Sequence, residues 1–223
     1  QYTAGVSGLR LRYDCASNAG IWLWGVYDKF EFDQLIDDVE QHPQYGGRLV
    51  IPLGPGELAF AYNQSSEQVF KKNFGIDGTW DIGVGLWFEM GLTNTESFDD
   101  YDWLSQLTLG TDYTFGIGNG ITVTGEYFLV DYSEVILGND DQTGMFGVMG
   151  TYPVSIMDNL SLISIYYPDG DLFYNYYSWQ RTWDNWLIQV GAYLLKGAES
   201  FFLNPTMGTV GTMGLQLNLV FNH

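Results

Sequence analysis

The chain has 223 residues, of which 17% are aromatic and only 16% charged, and its 8 basic against 27 acidic residues give a formal net charge of −19. That charge excludes a nucleic-acid partner, since phosphate backbones bind basic surfaces. A single cysteine, Cys15, excludes an intramolecular disulfide, and no run of 18 apolar residues is present to form a spanning helix. Because nothing in residues 1–223 has the composition of a linker, one domain is expected.

Apolar and polar residues alternate with a period of two along most of the chain, which predicts β-strands and no prominent helix. The predicted strands are separated by segments rich in Gly, Asn, Asp and Pro, residues that favour turns. In chain order the twelve predicted strands are 5–13, 20–32, 45–53, 57–63, 74–92, 102–115, 121–130, 145–154, 160–167, 172–180, 186–194 and 209–221.

The segment 74–92 is the most regular of these, and it decides the strand count. All its even positions from Phe74 to Leu92 are apolar or Gly, although 19 residues is long for a strand. It is either one long strand or two strands joined by a short, odd-numbered turn that preserves the parity. One strand gives an even total of 12, which is the count favoured here, since bacterial membrane barrels normally have an even number. Splitting it gives an odd total, which would imply a missing amino-terminal strand and 14 strands in a longer protein.

The connections between strands are of two kinds. Residues 53–56, 116–120 and 157–159 read as tight hairpin turns, whereas several others are longer and acidic. Short turns at one rim, long polar loops at the other and charge concentrated outside the strands are typical of an antiparallel, up-and-down transmembrane β-barrel. The loop acids are Asp33, Asp37, Asp38, Glu40, Glu96, Asp99, Asp100, Asp102, Asp131, Glu134, Asp140 and Asp141.

Parity assigns a face to each strand residue. The apolar set, exemplified by Leu9, Leu49 and Val190, is expected to face lipid, and aromatic residues near strand ends such as Trp183 and Trp186 are expected to form girdles at the membrane interfaces. The alternate positions then face inward. The predicted pore-lining residues are Arg10, Arg12, Arg48, Glu57, Glu89, Gln106, Asp112, Glu126 and Gln189.

Three of the eight basic residues, Arg10, Arg12 and Arg48, fall on this inward face. In a water-filled lumen they would form a basic patch opposite carboxylates such as Glu57, Glu89, Asp112 and Glu126, and create a transverse field that screens solutes. Alternatively, they would pair with those carboxylates and rigidify a closed lumen. A barrel of about twelve strands is intermediate in width, so size does not choose between the two interpretations.

The last strand carries a further signal. Met213, Leu215, Leu217, Leu219 and Phe221 alternate with Gly214, Gln216, Asn218 and Val220, and Asn222 and His223 follow. This alternation with a final aromatic resembles the closing strand of bacterial outer-membrane β-barrels, the porin-like superfamily. The resemblance implies an outer-membrane location in contact with membrane lipid and lipopolysaccharide, and recognition of those five residues by the barrel-assembly machinery. The chain opens Gln1-Tyr2-Thr3-Ala4-Gly5 without the features of a signal peptide, so a mature form is expected.

Catalytic and metal chemistry receive little support. The only histidines are His42, in the predicted acidic loop after Phe32, and the terminal His223, so an enzyme is not expected. The acidic clusters Asp169-Gly170-Asp171 and Asn139-Asp140-Asp141 offer oxygen atoms to cations but lack the ligand pattern of an EF-hand. No cofactor and no specific metal site are expected.

Three function classes follow. The first is an outer-membrane channel or porin for passive or substrate-selective diffusion of small solutes. The second is a non-conducting outer-membrane barrel that acts as an anchor, adhesin or partner-docking protein. The third is a soluble all-β carbohydrate-binding protein, which would have to bury its apolar face against a second sheet.

Overall fold

The computed structural model describes residues 7–29, 41–65, 72–98, 101–138, 140–197 and 213–221. Much of what was predicted for the acidic loops and for the end of the chain lies outside these residues. The predictions concerned are those for Asp33, Asp37, Asp38, Glu40, Asp99, Asp100, Asn139, Asn222 and His223.

The described residues form an all-β structure without helices, in which antiparallel strands follow one another in a single sheet in sequence order. The alternating pattern of the sequence is the physical cause, because successive side chains of a strand point to opposite faces. The thirteen strands are β1 (Ser7–Asp14), β2 (Gly20–Lys29), β3 (Gln41–Leu53), β4 (Gly56–Ser65), β5 (Lys72–Asp81), β6 (Gly85–Phe98), β7 (Tyr101–Phe115), β8 (Ile121–Ser133), β9 (Asp141–Pro153), β10 (Asp158–Tyr167), β11 (Leu172–Trp183), β12 (Trp186–Lys196) and β13 (Met213–Phe221).

The favoured count of twelve strands is wrong by one, because the segment 74–92 contains two strands. β5 ends at Asp81 and β6 begins at Gly85, so a three-residue turn separates them. Gly83 lies in this turn with φ 89°, a left-handed conformation that side-chain-bearing residues rarely adopt, rather than on the inner face of a strand as its parity suggested. The odd-numbered turn preserves the parity: the rings of Trp80 and Phe88 stack at 5.9 Å on the same face. The alternative of two strands joined by such a turn is confirmed.

The strand registers show which residues share a face. Leu49 on β3 lies opposite both Ile21 on β2 and Phe60 on β4, and Val190 on β12 lies opposite both Trp179 and Leu217. We call the face that carries these residues the apolar face and the opposite one the polar face. The face assignment made from parity agrees with the registers of β1–β5 and β9–β13.

The apolar face is exposed, and the described residues contain almost no hydrophobic core. Ala59, with 2% of its surface exposed, is the sole buried hydrophobic residue among them. Large apolar side chains are open instead, with 87% of Leu215, 71% of Leu217 and 67% of Leu9 exposed. A water-soluble fold stabilised by burial of these side chains would hide them.

The chain divides into two compact units. Unit 1 comprises Gln1–Ile82, Trp87–Thr108 and Leu129–Gln142, and unit 2 comprises Gly83–Leu86, Leu109–Phe128 and Thr143–His223. In both units, aromatic rings cover glycines of neighbouring strands. A Cβ on Gly46 would lie 2.6 Å from the ring of Trp24 in unit 1, and one on Gly191 would lie 2.4 Å from the Tyr176 hydroxyl in unit 2. Tyr176 therefore lies over the middle of the polar face, not in a girdle at a strand end.

Candidate functional site

The polar face of unit 1 carries a cluster of arginines around one tryptophan. Arg12 on β1 lies opposite Trp22 on β2, and Trp22 in turn lies opposite Arg48 on β3. Arg10 shares this face because it lies two residues before Arg12 on the same strand. Three adjacent strands thus bring together the three arginines that were predicted to share a face.

Trp22 is the centre of this cluster. Its ring centroid lies 5.1 Å from the Arg10 guanidinium, 5.2 Å from that of Arg12 and 5.9 Å from that of Arg48. All three distances are within cation–π range, in which each contact contributes about 0.5–1 kcal/mol at an exposed site. The indole Nε1 of Trp22 is buried and has no hydrogen-bond partner among the described residues. The π-face of the ring makes the contacts with the three guanidinium groups.

Carboxylates neutralise two of the three arginines. Arg48 Nη2 donates to both carboxylate oxygens of Asp77, at 2.5 and 2.6 Å, and the two side chains are 30% and 25% exposed. Arg12 Nε donates to Asp14 Oδ1 at 2.9 Å, with both groups more than half exposed. Arg10 has no carboxylate partner among the described residues. The cluster therefore combines a partly enclosed ion pair, a solvated ion pair and one unpaired positive charge.

A second tryptophan extends the same surface. Trp24 Nε1 donates to Asn63 Oδ1 at 3.2 Å, and Gly46 lies beneath the Trp24 ring. A neighbouring amide continues the polar row, since Thr93 Oγ1 donates to Asn73 Oδ1 at 2.8 Å. These contacts order the polar face across β2 to β6.

The remaining predicted pore-lining residues are spread over both units. In unit 1, Glu57 lies opposite Thr79, and the Gln106 side chain lies 3.9 Å from the position of a Cβ on Gly91. In unit 2, Asp112 fills the space over Gly85, and Gln189 accepts a hydrogen bond from Asn218 at 3.2 Å. Glu89 lies between Phe88 and Met90 in β6, and Glu126 lies between Gly125 and Tyr127 in β8, so strand alternation assigns both glutamates to the polar face. None of the four acids predicted to oppose the arginines is their ion-pair partner; those partners are Asp14 and Asp77.

Sequence reasoning missed Trp22, Trp24 and Asp77 as members of this site. The signal was available for the tryptophans, since they alternate with Ile21 and Leu23 and so share parity with the polar face. They were overlooked because tryptophan was expected in girdles. Asp77 is one of the odd-numbered polar residues of 74–92, but the reach of an arginine across an intervening strand cannot be read from the sequence.

The apolar face of unit 2 has a polar and aromatic border where β10 begins and β11 ends. Asp158 accepts a hydrogen bond from Trp179 Nε1 at 3.1 Å, and Arg181 Nη1 lies 3.6 Å from the same carboxylate. The Arg181 guanidinium lies 5.0 Å from the Trp183 ring centroid. Next to it, the rings of Trp186 and Phe221 are 4.8 Å apart.

His42 and Asp171 are among the described residues that were considered for catalysis or metal binding. His42 belongs to β3, where it pairs with Asp28, and not to a loop as predicted. Asp171 is the last residue of the turn 168–171, where it has φ 44° and its N–H donates to the Pro168 carbonyl oxygen. No group of three or more His, Cys, Asp or Glu residues in the described part of the chain could hold a metal ion.

That part of the chain also lacks a helix with the length and apolar character needed to cross a membrane. Comparison of the chain with protein-family models, with curated proteins and with solved structures finds no match.

Proposed function

We propose that this protein is a closed transmembrane β-barrel of the bacterial outer membrane and acts as a channel for small solutes. The observation that supports this best is the absence of a covered core in the described residues. One hydrophobic residue is buried, while most of the large apolar side chains on one face of the sheet are open. Lipid acyl chains are the environment in which such a face is stable, whereas the soluble alternative requires a second layer of protein over it.

The surface shape of the apolar face supports contact with lipid acyl chains. In unit 1 a groove of about 850 Å³ runs along β2 to β6, between ridges that include Leu23, Phe60 and Phe74. In unit 2 a second groove, of about 480 Å³, is lined by Leu160, Leu162 and Val190 among others. Shallow, open apolar grooves suit acyl chains, which adapt to an irregular surface.

Strand lengths and border chemistry agree with a membrane location. The strands contain 8 to 15 residues, and a tilted strand needs about 9–11 residues to cross the hydrocarbon region. At the border of the unit 2 apolar face, the tryptophans provide rings with one apolar and one hydrated end. The Asp158–Arg181 pair provides charged groups beside them. Such residues are typical of membrane–water interfaces.

Closure sets a condition on the strand number. The thirteen strands of the described residues are an odd number, which cannot close with antiparallel pairs throughout. A closed barrel therefore takes either one parallel pair or a fourteenth strand, and we propose fourteen, because bacterial single-chain barrels have an even number of strands. The alternating residues Met213, Leu215, Leu217, Leu219 and Phe221 would then serve the barrel-assembly machinery, and the apolar face would contact membrane lipid and lipopolysaccharide.

In this proposal the polar face lines the lumen, and the cluster around Trp22 is the element that selects solutes. Its ion pairs hold charges of both signs against the wall, so a passing solute meets a local field rather than a uniformly acidic surface. The proposed mechanism is diffusion, without a cofactor and without catalysis. The proposed solute class is small and hydrophilic.

Reconstitution into planar bilayers tests the channel. Purified protein refolded in detergent should give discrete conductance steps. The matched control is a variant with Glu57→Gln on the polar face, which should insert equally well but change the unit conductance. Insertion without conductance would contradict the channel and favour the non-conducting anchor, while failure to associate with lipid would contradict the barrel itself.

A further inference from the structure

The segment after β8 folds back as a flap, residues 134–138, against β7 and β8 in unit 1. Three hydrogen bonds hold it. The Leu137 N–H donates to Ser105 Oγ at 3.3 Å, the Glu134 N–H donates to Asp140 Oδ2 at 3.1 Å, and the Gly138 N–H donates to the Val135 carbonyl oxygen at 3.1 Å. The first of these bonds seats the flap on β7, and the other two close the turn.

The flap covers polar side chains completely. Ser105 is 1% exposed, and Asp131 and Ser133 are 0% exposed. Ser133 Oγ donates to Asp131 Oδ2 at 3.0 Å and accepts from the Asp140 N–H at 3.1 Å. A Cβ on Gly138 would lie 2.8 Å from the Ser133 Cβ, so only glycine allows the flap to approach this closely.

These polar groups lie on the apolar face. Ser105 has the same parity as Leu107 in β7, and Asp131 and Ser133 have the same parity as Leu129 in β8. Without the flap, a carboxylate and two hydroxyls would interrupt this face. With the flap in place, their hydrogen bonds are satisfied and they are shielded from the surroundings.

The outer surface of the flap is apolar from Val135 to Leu137, and the exposed Glu134 precedes this stretch. Val135 is 62% exposed, Ile136 44% and Leu137 43%. Leu137 has φ 54°, a left-handed conformation that is unfavourable for a side chain of this size. A loop in water normally has the reverse arrangement, with polar groups outward.

We infer that the flap is a lipid-contacting patch that replaces a polar gap in the apolar face and places Val135, Ile136 and Leu137 among the acyl chains near the membrane surface. The occupant is membrane lipid because the patch continues the same face as Leu107 and has the same apolar character. This inference rests on the proposed membrane barrel, and it adds a specific contact that anchors the barrel beside the end of β8.

The test uses a probe at the flap in lipid vesicles. In a Cys15→Ser background, Ile136→Cys is labelled with the fluorophore NBD and refolded into phosphatidylcholine vesicles with or without phosphatidylcholine carrying a nitroxide at carbon 5 of the acyl chain. The expected result is loss of more than half of the emission with the nitroxide lipid, and little quenching by aqueous iodide. Leu217→Cys, labelled in the same way, is the reference for the apolar face.

The two sites separate the possible failures. Lipid quenching at 217 with iodide quenching at 136 would overturn the flap inference and leave the barrel intact. Iodide quenching at both sites would overturn the barrel and the inference with it.

A third variant tests whether the seat of the flap causes the contact. Gly138→Val, added to the protein labelled at 136, should displace the flap and allow iodide to quench the label. Added to the protein labelled at 217, the same substitution should leave the quenching unchanged. Ser105→Ala, which removes a single acceptor, should give the same change more weakly. Unaltered lipid quenching at 136 in both variants would contradict the assigned seat.

Discussion

Arg48 on β3 reaches across β4 and donates to both carboxylate oxygens of Asp77 on β5, at 2.5 and 2.6 Å. The strand between them makes this possible. Ala61 lies opposite Arg48 and Ala59 lies opposite Asp77. Only methyl groups therefore project beneath the Arg48–Asp77 ion pair, here called the bridge, where a larger side chain would block it. This accounts for Ala59 being the one buried hydrophobic residue among those described.

The bridge predicts that Ala59 cannot be enlarged. Ala59→Leu should lower the free energy of unfolding by about 1–3 kcal/mol, the usual cost of overpacking a filled site. Ala192→Leu is the matched control. Ala192 lies on the apolar face of β12, where the added surface should change stability by less than about 0.5 kcal/mol. Urea titration of the refolded protein measures both, and equal tolerance of the two changes would contradict the packing under the bridge.

The bridge also predicts how charge changes alter ion selectivity. Arg48→Ala leaves the Asp77 carboxylate unpaired and should favour cations, whereas Asp77→Asn leaves the Arg48 guanidinium unpaired and should favour anions. Two unit charges that are 4 Å apart in water interact with an energy of about 1 kcal/mol. A passing ion close to the unpaired charge should therefore change the cation-to-anion permeability ratio roughly threefold to fivefold.

Reversal potentials across a salt gradient measure that ratio. Arg181→Ala removes an arginine from the apolar face and should leave the reversal potential unchanged. Shifts in the same direction for Arg48→Ala and Asp77→Asn would place the pair outside the conduction path.

Much of the fold was predictable because it depends on parity. The alternation around Leu49 and Val190 assigns these residues to one face, and the registers agree. The strand count was not predictable with the same certainty. A single glycine, Gly83, ends β5 through its left-handed φ without breaking the alternation, so the sequence pattern runs through the turn.

The turn at Gly83 makes a prediction of its own. Gly83 has φ 89°, and a Cβ added to it would meet no atom within 4 Å, so Gly83→Ala should cost about 1–2 kcal/mol through the left-handed backbone and not through a clash. Gly116→Ala, also in open space but without a positive φ, should be nearly neutral. Urea unfolding of the two variants checks this, and equal stabilities would contradict the observed turn geometry.

The candidate site was predicted only in part. Arg10, Arg12 and Arg48 were placed together because their parity and their neighbouring strands required it. Their partners were not, since the contact of Arg48 with Asp77 depends on the small side chains of β4, and the contacts with Trp22 depend on the sideways reach of long side chains. Such tertiary contacts do not produce a periodic pattern in the sequence.

An added charge should destabilise one face of β13 much more than the other. Leu217→Arg places a guanidinium on the apolar face and should cost about 2–4 kcal/mol if that face lies in the middle of a bilayer, whereas Gln216→Arg on the polar face should cost little. Refolding titrations in lipid vesicles compare them. Equal costs at the two neighbouring positions would be incompatible with the assignment of the faces.

The proposed barrel depends on lipid covering the apolar face. The most direct measurement is the collision rate of a nitroxide label, moved one residue at a time from Leu187 to Leu194 on β12 in the Cys15→Ser background, with oxygen in the bilayer and with a nickel chelate in water. If lipid covers this face, the collision rates should alternate, with the even-numbered positions reached by oxygen and the odd-numbered positions reached by the chelate. Access of the nickel chelate to the even-numbered positions in vesicles would contradict it.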